Sequence, residues 1–380
     1  MIYLDYSAAT PMSDLALKTY MHVSTHYFGN ASSLHTYGTD AASIIESARA
    51  TIASLLSVIP RSIYFTGCGS EANSSALIAL AKGNRHKGKQ LVTTPLEHPS
   101  VLQTFAYLES QGFTVSKVRV NEYGQVCLSH LQELLQEKTV LVSIGHASAE
   151  LGTIQDLESI GDIVKEHGAL FHSDCVQTFG KIMIPVKEAH LDSFSISSHK
   201  VYGPKGAGAC YISPQTSWDS FFPHTSHEKG LRPGTVDTAG IAAFAAAAEE
   251  TISIQTDIVK KVRKLSDYFT KAVLSEESII LEGHPDKRIP GHFALRFDQR
   301  EGQYIMLELN RRGIAVSTGS ACRAGSSSPP ASMIALGRST EEAHGLIRLS
   351  MGKFTTKDDI EKAAEIIQNL ASREMTGGRI

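Results

Sequence analysis

Two short segments of the chain carry side chains suited to covalent chemistry. The first, residues 197–206, places Lys200 after a β-rich run and before a glycine-proline turn. A lysine at a strand end of an α/β sheet can lose its proton and form a Schiff base with an aldehyde. The second segment, residues 317–322, presents Cys322 among small residues and beside Arg323, whose charge favours the thiolate. Together they predict an enzyme that combines an aldehyde cofactor with a reactive thiol.

Other polar residues have the chemistry needed to hold an aromatic cofactor. Asp174 follows a strand-like run, and a carboxylate there can keep a pyridinium nitrogen protonated so that the ring withdraws electrons. Gln177, three residues further on, is placed to reach the same ring. His98 precedes Pro99 at a helix start and is a candidate to stack on the ring and to move protons. Taken singly, each has an ordinary structural reading, so the prediction rests on the combination.

A third set of residues is suited to anions. Gly69 and Ser70 open a helix after a strand, where small residues and free N–H groups favour a phosphate. Ser197 and His199, just before the lysine, are further phosphate donors. Arg348 would direct two parallel N–H groups at a carboxylate, although a surface ion pair is the alternative reading.

Short β-rich runs alternate with helical stretches between about residues 60 and 215. This alternation predicts a mainly parallel α/β sheet with right-handed crossovers. Strands are expected at residues 62–65, 90–94, 140–144, 170–172, 194–197, 207–212, 294–297, 315–317 and 346–350. Helices are expected at residues 69–81, after Pro99, and at residues 303–312 and 357–372. Residues 239–275 are expected to form one long helix that links two domains.

Composition narrows the function classes. The 380 residues carry a formal net charge of -3, which gives no electrostatic reason to expect nucleic acid or an anionic membrane as partner. No apolar run approaches the roughly 20 residues that span a bilayer, and the N-terminus lacks the pattern of a signal peptide. The five cysteines show no CxxC spacing, so we predict no metal site and a reducing, cytoplasmic location.

Taken in order along the chain, these segments resemble the cysteine desulfurase family of the NifS and IscS type. This family consists of pyridoxal-phosphate enzymes of the class V aminotransferase group. Within it, the sequence most resembles the Bacillus-type NifS-like proteins. The segments that carry the resemblance are residues 3–11, 28–30, 97–99, 172–177, 198–206, 232–235, 317–322 and 348–356.

The resemblance implies a fold and a domain division. The fold is that of the fold type I pyridoxal-phosphate-dependent transferases. Its large cofactor-binding domain, with a mainly parallel central sheet, corresponds to residues 14–255. Its smaller α+β domain corresponds to residues 1–13 and 256–380 and carries the loop of Cys322.

The resemblance also implies roles for single residues. The cofactor-binding residues are Gly69, Ser70, His98, Asp174, Gln177, Ser197, His199 and Lys200, together with Thr235 supplied by the second subunit of a homodimer. Asn30 and Arg348 hold the substrate, L-cysteine, while Lys200 and His98 take part in catalysis. Cys322 removes the sulfur as a persulfide, releases L-alanine, and passes the sulfur to an acceptor such as an iron–sulfur scaffold or a dedicated apo-enzyme.

Two departures from the family pattern leave alternatives open. Ala149 stands where the family often has an asparagine near the cofactor, and Pro233 replaces a serine near the phosphate. A pyridoxal-phosphate aminotransferase would have no use for a reactive thiol at Cys322, and the sequence leaves open whether the substrate is cysteine or selenocysteine. A desulfurase relative that has lost activity and relays sulfur is a third reading, favoured by Ala149 and opposed by the retained Lys200.

Overall fold

A computed structural model describes residues 1–135, 138–220, 222, 224–225, 227–319 and 328–372. Within these residues the strands are β1 (Ile2–Tyr3), β2 (Ile63–Thr66), β3 (Gln90–Thr93), β4 (Thr114–Lys117), β5 (Thr139–Ser143), β6 (Leu170–Asp174), β7 (Ser193–Ser197), β8 (Gly208–Ile212), β9 (Ile279–Glu282), β10 (His292–Phe297), β11 (Ile314–Ala315) and β12 (Leu346–Ser350). The helices are α1 (Asp14–His26), α2 (Thr36–Leu55), α3 (Gly69–Gly83), α4 (Pro99–Ser110), α5 (Leu128–Leu134), α6 (Leu157–Glu166), α7 (Thr238–Ser253), α8 (Gln255–Val273), α9 (Gly302–Arg311), α10 (Ala331–Ala335), α11 (Thr340–His344) and α12 (Lys357–Ser372).

The large sheet has the strand order β2-β8-β7-β6-β5-β3-β4. Strands β7, β6, β5, β3 and β4 run parallel to one another, while β8 runs antiparallel to both β2 and β7. The predicted mainly parallel α/β fold is therefore confirmed. Parallel strands end at the same edge of a sheet, so the residues that follow β6 and β7 meet there.

The large sheet is covered by helices on both faces. Successive strand residues point to opposite faces, so Leu141 and Leu170 lie in one apolar cluster and Val142 and Phe171 in another. The first cluster includes residues of α3 and α4, and the second includes residues of α2, α6 and α7. Burial on both faces explains why these strands read as continuous apolar runs rather than alternating ones.

A smaller antiparallel sheet, ordered β12-β10-β9, has its own apolar core. Leu4 belongs to this core together with Phe269, Phe293 and Ile347. The chain's opening residues are fixed there because β1 pairs in parallel with β11. The division into residues 14–255 and residues 1–13 with 256–380 stays a prediction, and the place of Leu4 in this core favours it.

The prediction of one long helix over residues 239–275 is wrong, because the chain forms α7 and α8 with a break at Ile254. The two halves bury different surfaces. Helix α7 is rich in alanine and buried nearly all round, whereas α8 is rich in lysine and buries only the stripe of Val262, Leu265, Phe269 and Val273. Among the helices of the described residues, none is long and apolar enough to cross a membrane.

Candidate active site

A cavity of about 240 Å³ opens at the carboxyl ends of the parallel strands. The N-terminal segment contributes Ser7 and Ala8 to its wall, and the strand β12 contributes Arg348. The predicted site residues that line the cavity are Gly69, Ser70, His98, Asp174, Gln177, Ser197, His199, Lys200 and Arg348. The structure thus brings together side chains that the sequence suggested only one by one.

Lys200 ends a single 3-10 turn that directly follows β7. Its Nζ donates to the carbonyl of Ala8 at 2.8 Å and also to the carbonyl of Ser7. Gln177 Nε2 donates to the same Ser7 carbonyl at 3.1 Å. The amine is therefore held at the cavity wall by carbonyls of the N-terminal segment, where an aldehyde can reach it.

Asp174, the last residue of β6, is fixed by two hydrogen bonds. Its Oδ1 accepts from the backbone N–H of Val176 at 2.9 Å, and its Oδ2 accepts from Asn73 Nδ2 at 2.8 Å. Hydrogen bonds to the charged form of a carboxylate favour that form. The arrangement suits a carboxylate that partners a protonated ring nitrogen.

His98 caps the N-terminus of α4 through its imidazole. Its Nδ1 accepts from the backbone N–H of Ser100 at 3.1 Å, so the neutral ring carries its proton on Nε2. Burial lowers the pKa of His98, the negative charge of Asp174 opposes that shift, and the positive charge of Lys200 adds to it. The ring is therefore a neutral, flat partner in the cavity wall.

The start of α3 forms an anion cradle. Cys68 is its N-cap, with Sγ accepting from the backbone N–H of Glu71 at 3.4 Å. A Cβ on Gly69 would lie 2.7 Å from Val176 Cγ2 and 3.2 Å from Ser197 Cβ, so only glycine allows this close approach. Free N–H groups at a helix start attract phosphate, and this helix is long enough to contribute its dipole.

His199 completes this corner of the cavity. Its Nδ1 lies 2.9 Å from Ser197 Oγ. Burial lowers the pKa of His199 to about 4, and the positive charges of Lys200 and Lys205 contribute in the same direction. At neutral pH the imidazole of His199 is therefore an uncharged hydrogen-bonding group.

Arg348 is 3% exposed and lines the opposite side of the cavity. Its Nη2 pairs with Asp5 Oδ1 at 2.9 Å, and its Nη1 donates to the carbonyl of Ala149 at 3.2 Å. Its Nε is buried and has no hydrogen-bond partner within the described residues. A buried donor without a partner indicates a place for a ligand acceptor, such as a carboxylate oxygen.

Two predicted site residues do not line this cavity, and a third cannot be placed in the structure. Asn30 is exposed, and its Oδ1 accepts from the backbone N–H of Ser32 at 3.0 Å. Thr235 is also exposed and does not line the cavity of its own chain. Cys322 lies outside the described residues. The roles of all three stay predictions.

Glu97 and Asn73 are polar residues of the cavity wall that the sequence analysis did not predict as site residues. Burial raises the pKa of Glu97 to about 8. Its Oε1 accepts from the backbone N–H of Gly145 at 2.8 Å, and its Oε2 has no hydrogen-bond partner within the described residues. Asn73, 1% exposed, bridges neighbouring polar groups. A signal existed for both, because Glu97 adjoins His98 and Asn73 lies one helical turn after Gly69.

The residues of the cavity fit pyridoxal phosphate. The group needs an anion cradle, a carboxylate for its ring nitrogen, an amine for its aldehyde and a flat neighbour for its ring. The turn at Gly69, the Asp174 carboxylate, the Lys200 amine and the neutral His98 ring supply these in one cavity.

Comparison with known proteins agrees with this fit. The model of the family described as aminotransferase class-V matches residues 2–363. The chain is 44% identical over 374 residues to a protein named as a cysteine desulfurase, NifS, from Halalkalibacterium halodurans, covering 98% of this chain and 99% of the relative. It is 41% identical over 365 residues to a Bacillus subtilis protein of the same name, covering 95% and 92%.

A solved structure named as a NifS-like protein superposes with a TM-score of 0.91 at 31% identity, covering 98% of this chain and 99% of the other. Class V aminotransferases and cysteine desulfurases depend on pyridoxal phosphate, in agreement with the donor set of the cavity. This chain therefore belongs to the class V aminotransferase family and, within it, to the cysteine desulfurases of the NifS and IscS type.

Proposed function

We propose that this chain converts L-cysteine to L-alanine and retains the sulfur on Cys322 for delivery to an acceptor. The observation that carries the proposal is the single cavity that holds an amine at Lys200, a carboxylate at Asp174 and a buried guanidinium at Arg348. A cofactor of pyridoxal-phosphate type and an amino acid substrate need these groups together.

The cofactor would be held at three points. The N–H groups at Gly69 and Ser70, with Ser197 and His199, would bind its phosphate, and Asp174 would bind its ring nitrogen. Lys200 Nζ would bond its aldehyde carbon. When bound, pyridoxal phosphate supplies an electron sink for the substrate's Cα.

The chain's own side chains handle the protons. Lys200 Nζ is the base placed to take the proton from the substrate's Cα, because the carbonyls of Ser7 and Ala8 hold it at the cavity wall. His98 is neutral and carries its proton on Nε2, which makes that atom its point of proton exchange. Arg348 would orient the substrate by pairing with its carboxylate through the free Nε.

The sulfur step belongs to Cys322. Its thiolate attacks the substrate sulfur, the S–S bond forms, and the bond from that sulfur to the substrate's Cβ breaks. The balance is L-cysteine plus the Cys322 thiol giving L-alanine plus the Cys322 persulfide, so no outside oxidant is required. A following thiol on the acceptor then takes the sulfur by exchange.

The proposal extends to the assembly of the protein and to its partners. A homodimer in which Thr235 reaches the partner's site is supported by the exposure of Thr235 and by exposed apolar side chains at Met21, Phe28 and Leu34. The sulfur acceptor in this proposal is an iron–sulfur scaffold or a dedicated apo-enzyme. A cytoplasmic location is supported by the unpaired state of Cys68, Cys127, Cys175 and Cys210.

The decisive experiment separates cofactor chemistry from sulfur removal. Borohydride reduction of the enzyme with pyridoxal phosphate should attach the label to Lys200, and Lys200→Ala should abolish both the label and alanine formation. Cys322→Ala should still change the visible spectrum when L-cysteine is added, yet form almost no alanine or sulfide. A label on another lysine, or normal desulfuration by the Cys322 variant, would show the proposal to be wrong.

A further inference from the structure

Asn73 connects two residues of the proposed active site that are distant in sequence. It lies on α3 and is 1% exposed. Its Nδ2 donates to Asp174 Oδ2 at 2.8 Å and to Ser100 Oγ at 3.0 Å, while its Oδ1 lies 3.2 Å from His172 Nε2. Both amide hydrogens and the amide oxygen are therefore used within the protein.

The orientation of this amide follows from its partners. A carboxylate accepts hydrogen bonds, so the NH₂ group faces Asp174. The amide oxygen then accepts from an N–H on His172 Nε2, which leaves His172 Nδ1 to accept from the Ser193 hydroxyl at 3.1 Å. Burial lowers the pKa of His172 to about 3, so this ring stays neutral and keeps a single proton at neutral pH.

The second amide hydrogen starts a path to His98. The backbone N–H of Ser100 can only donate, so His98 Nδ1 acts as an acceptor. The Ser100 hydroxyl then accepts from Asn73 and donates to His98 Nδ1 at 2.8 Å. One amide group thus supports Asp174 directly and His98 through a single hydroxyl.

We propose that Asn73 is a positioning residue that holds the Asp174 carboxylate and, through Ser100, the His98 imidazole in one hydrogen-bonded unit around the cofactor's ring. The inference rests on the proposed function, in which Asp174 and His98 contact that ring. Without Asn73, the half-buried Asp174 Oδ2 and the buried Ser100 and His172 each lose a partner. The carboxylate then keeps the backbone N–H of Val176 and the imidazole that of Ser100, but the link between the two groups is lost.

The test uses the full chain with Asn73→Leu, which has nearly the same volume, and Asn73→Ser, whose short hydroxyl cannot span both partners. The dissociation constant for pyridoxal phosphate and the visible circular dichroism per bound cofactor are measured. Loss of a hydrogen bond to a charged group should weaken cofactor binding by about 10-fold to 100-fold. The dichroic band should change in both variants because the ring is no longer held in one orientation.

Asn84→Leu is the matched control. Asn84 is also 1% exposed and its Nδ2 donates to the carbonyls of Leu80 at 3.0 Å and Ser217 at 2.7 Å, but it does not line the cavity. This variant should lower the melting temperature and leave cofactor binding and the dichroic band within about twofold of the wild type.

Two outcomes overturn the inference in distinguishable ways. If the wild type labels at Lys200 while Asn73→Leu and Asn73→Ser bind the cofactor within about twofold of it with an unchanged dichroic band, only the role of Asn73 fails. If the wild type itself forms no borohydride-reducible bond at Lys200, the proposed function fails and the inference fails with it. Asn73→Ser serves as the readout if Asn73→Leu does not fold.

Discussion

Glu97 makes the protein's stability depend on pH in an identifiable way. Its pKa rises from 4.5 to about 8 on burial, so the folded protein binds a proton that the unfolded chain releases. This contribution is complete below about pH 4.5 and is lost as the pH rises towards 8, by up to about 1.4 kcal/mol per pH unit. Glu97→Gln keeps the acceptor oxygen and cannot ionise. We therefore expect the variant to be more stable than the wild type at pH 8 and no more stable at pH 5.

Urea unfolding of the apoprotein at pH 5, 6.5 and 8 measures this difference. The exposed Glu109 supplies a control, because Glu109→Gln should change stability by a similar small amount at each pH. A constant difference between wild type and Glu97→Gln across the three values would mean that the buried carboxyl is ionised throughout.

We expect Ala149 to lower the rate of the proposed reaction without changing the type of reaction. It lines the cavity, and its carbonyl, not its side chain, accepts from Arg348. An asparagine here would add one neutral hydrogen bond, about 0.5–1.5 kcal/mol, which is about tenfold or less in rate. We expect Ala149→Asn to raise alanine formed per cofactor within that range. A wild type that binds the cofactor without turnover, rescued by orders of magnitude in the variant, would instead indicate a relative that only relays sulfur.

At the scale of elements, one buried ion pair fixes the short turn at His227–Gly230 against β2. Arg49 donates to both oxygens of Glu228, at 2.7 and 2.9 Å, and Glu228 also accepts from the backbone N–H of Phe65 at 2.8 Å. Glu228 and Lys229 both have positive φ, at 46° and 54°. Left-handed backbone of this kind costs about 1–3 kcal/mol per residue, so the ion pair must hold the segment in place.

Removing one partner of this pair should be costly. Arg49→Leu leaves the Glu228 carboxylate buried and unpaired, and we expect it to lower the free energy of unfolding by about 3–5 kcal/mol. The double variant Arg49→Leu with Glu228→Leu should lose less than the sum of the single changes. Lys357→Ala, at an exposed ion pair with Glu361, should change stability by less than about 1 kcal/mol. Urea unfolding compares the wild type, the two single variants, the double variant and the Lys357→Ala control, and additive losses in the double variant would refute the coupling.

The elements differed in how well the sequence predicted them. Buried strands such as β5 and β6 were predicted within a residue or two of their bounds, because continuous apolar runs mark strands covered on both faces. The edge strand β4 was missed, since its half-exposed residues show no such run. The break at Ile254 was missed because helix propensity continues across it, and only the two different buried surfaces require it.

Some residues of the active site could also be predicted from the sequence, and others could not. Residues at strand ends and helix starts, such as Lys200 and Gly69, were predicted because chain position alone places them at one edge of the sheet. The hydrogen bonds of Asn73 join residues 27 and 101 positions apart. No local pattern in the sequence indicates such contacts, and only the packed structure shows them.

At the scale of the whole molecule, the cavity joins segments from both apolar cores. Ser7 and Arg348 face it from the side of the smaller sheet, and Asp174 and Lys200 from the larger one. A ligand that binds only the folded cavity stabilises by mass action, about 2.7 kcal/mol at a concentration 100 times its dissociation constant. Pyridoxal phosphate should therefore raise the unfolding free energy of the wild type, measured in urea. Lys200→Ala should need a far higher concentration, and equal stabilisation of both proteins would exclude the covalent link.

Contacts between residues 5–7 and residues 348–350 determine when the cofactor site can form during synthesis of the chain. Asp5 pairs with Arg348, a partner 343 residues further along the chain, and the backbone N–H of Ser7 donates to the Ser350 hydroxyl at 2.8 Å. On the ribosome, the segment that holds the Lys200 amine stays without these partners until residues 348–350 have emerged. A nascent chain therefore lacks a complete site for the aldehyde of the cofactor. Arrested chains that end before β11 should bind no pyridoxal phosphate, which makes cofactor loading a late event of biogenesis.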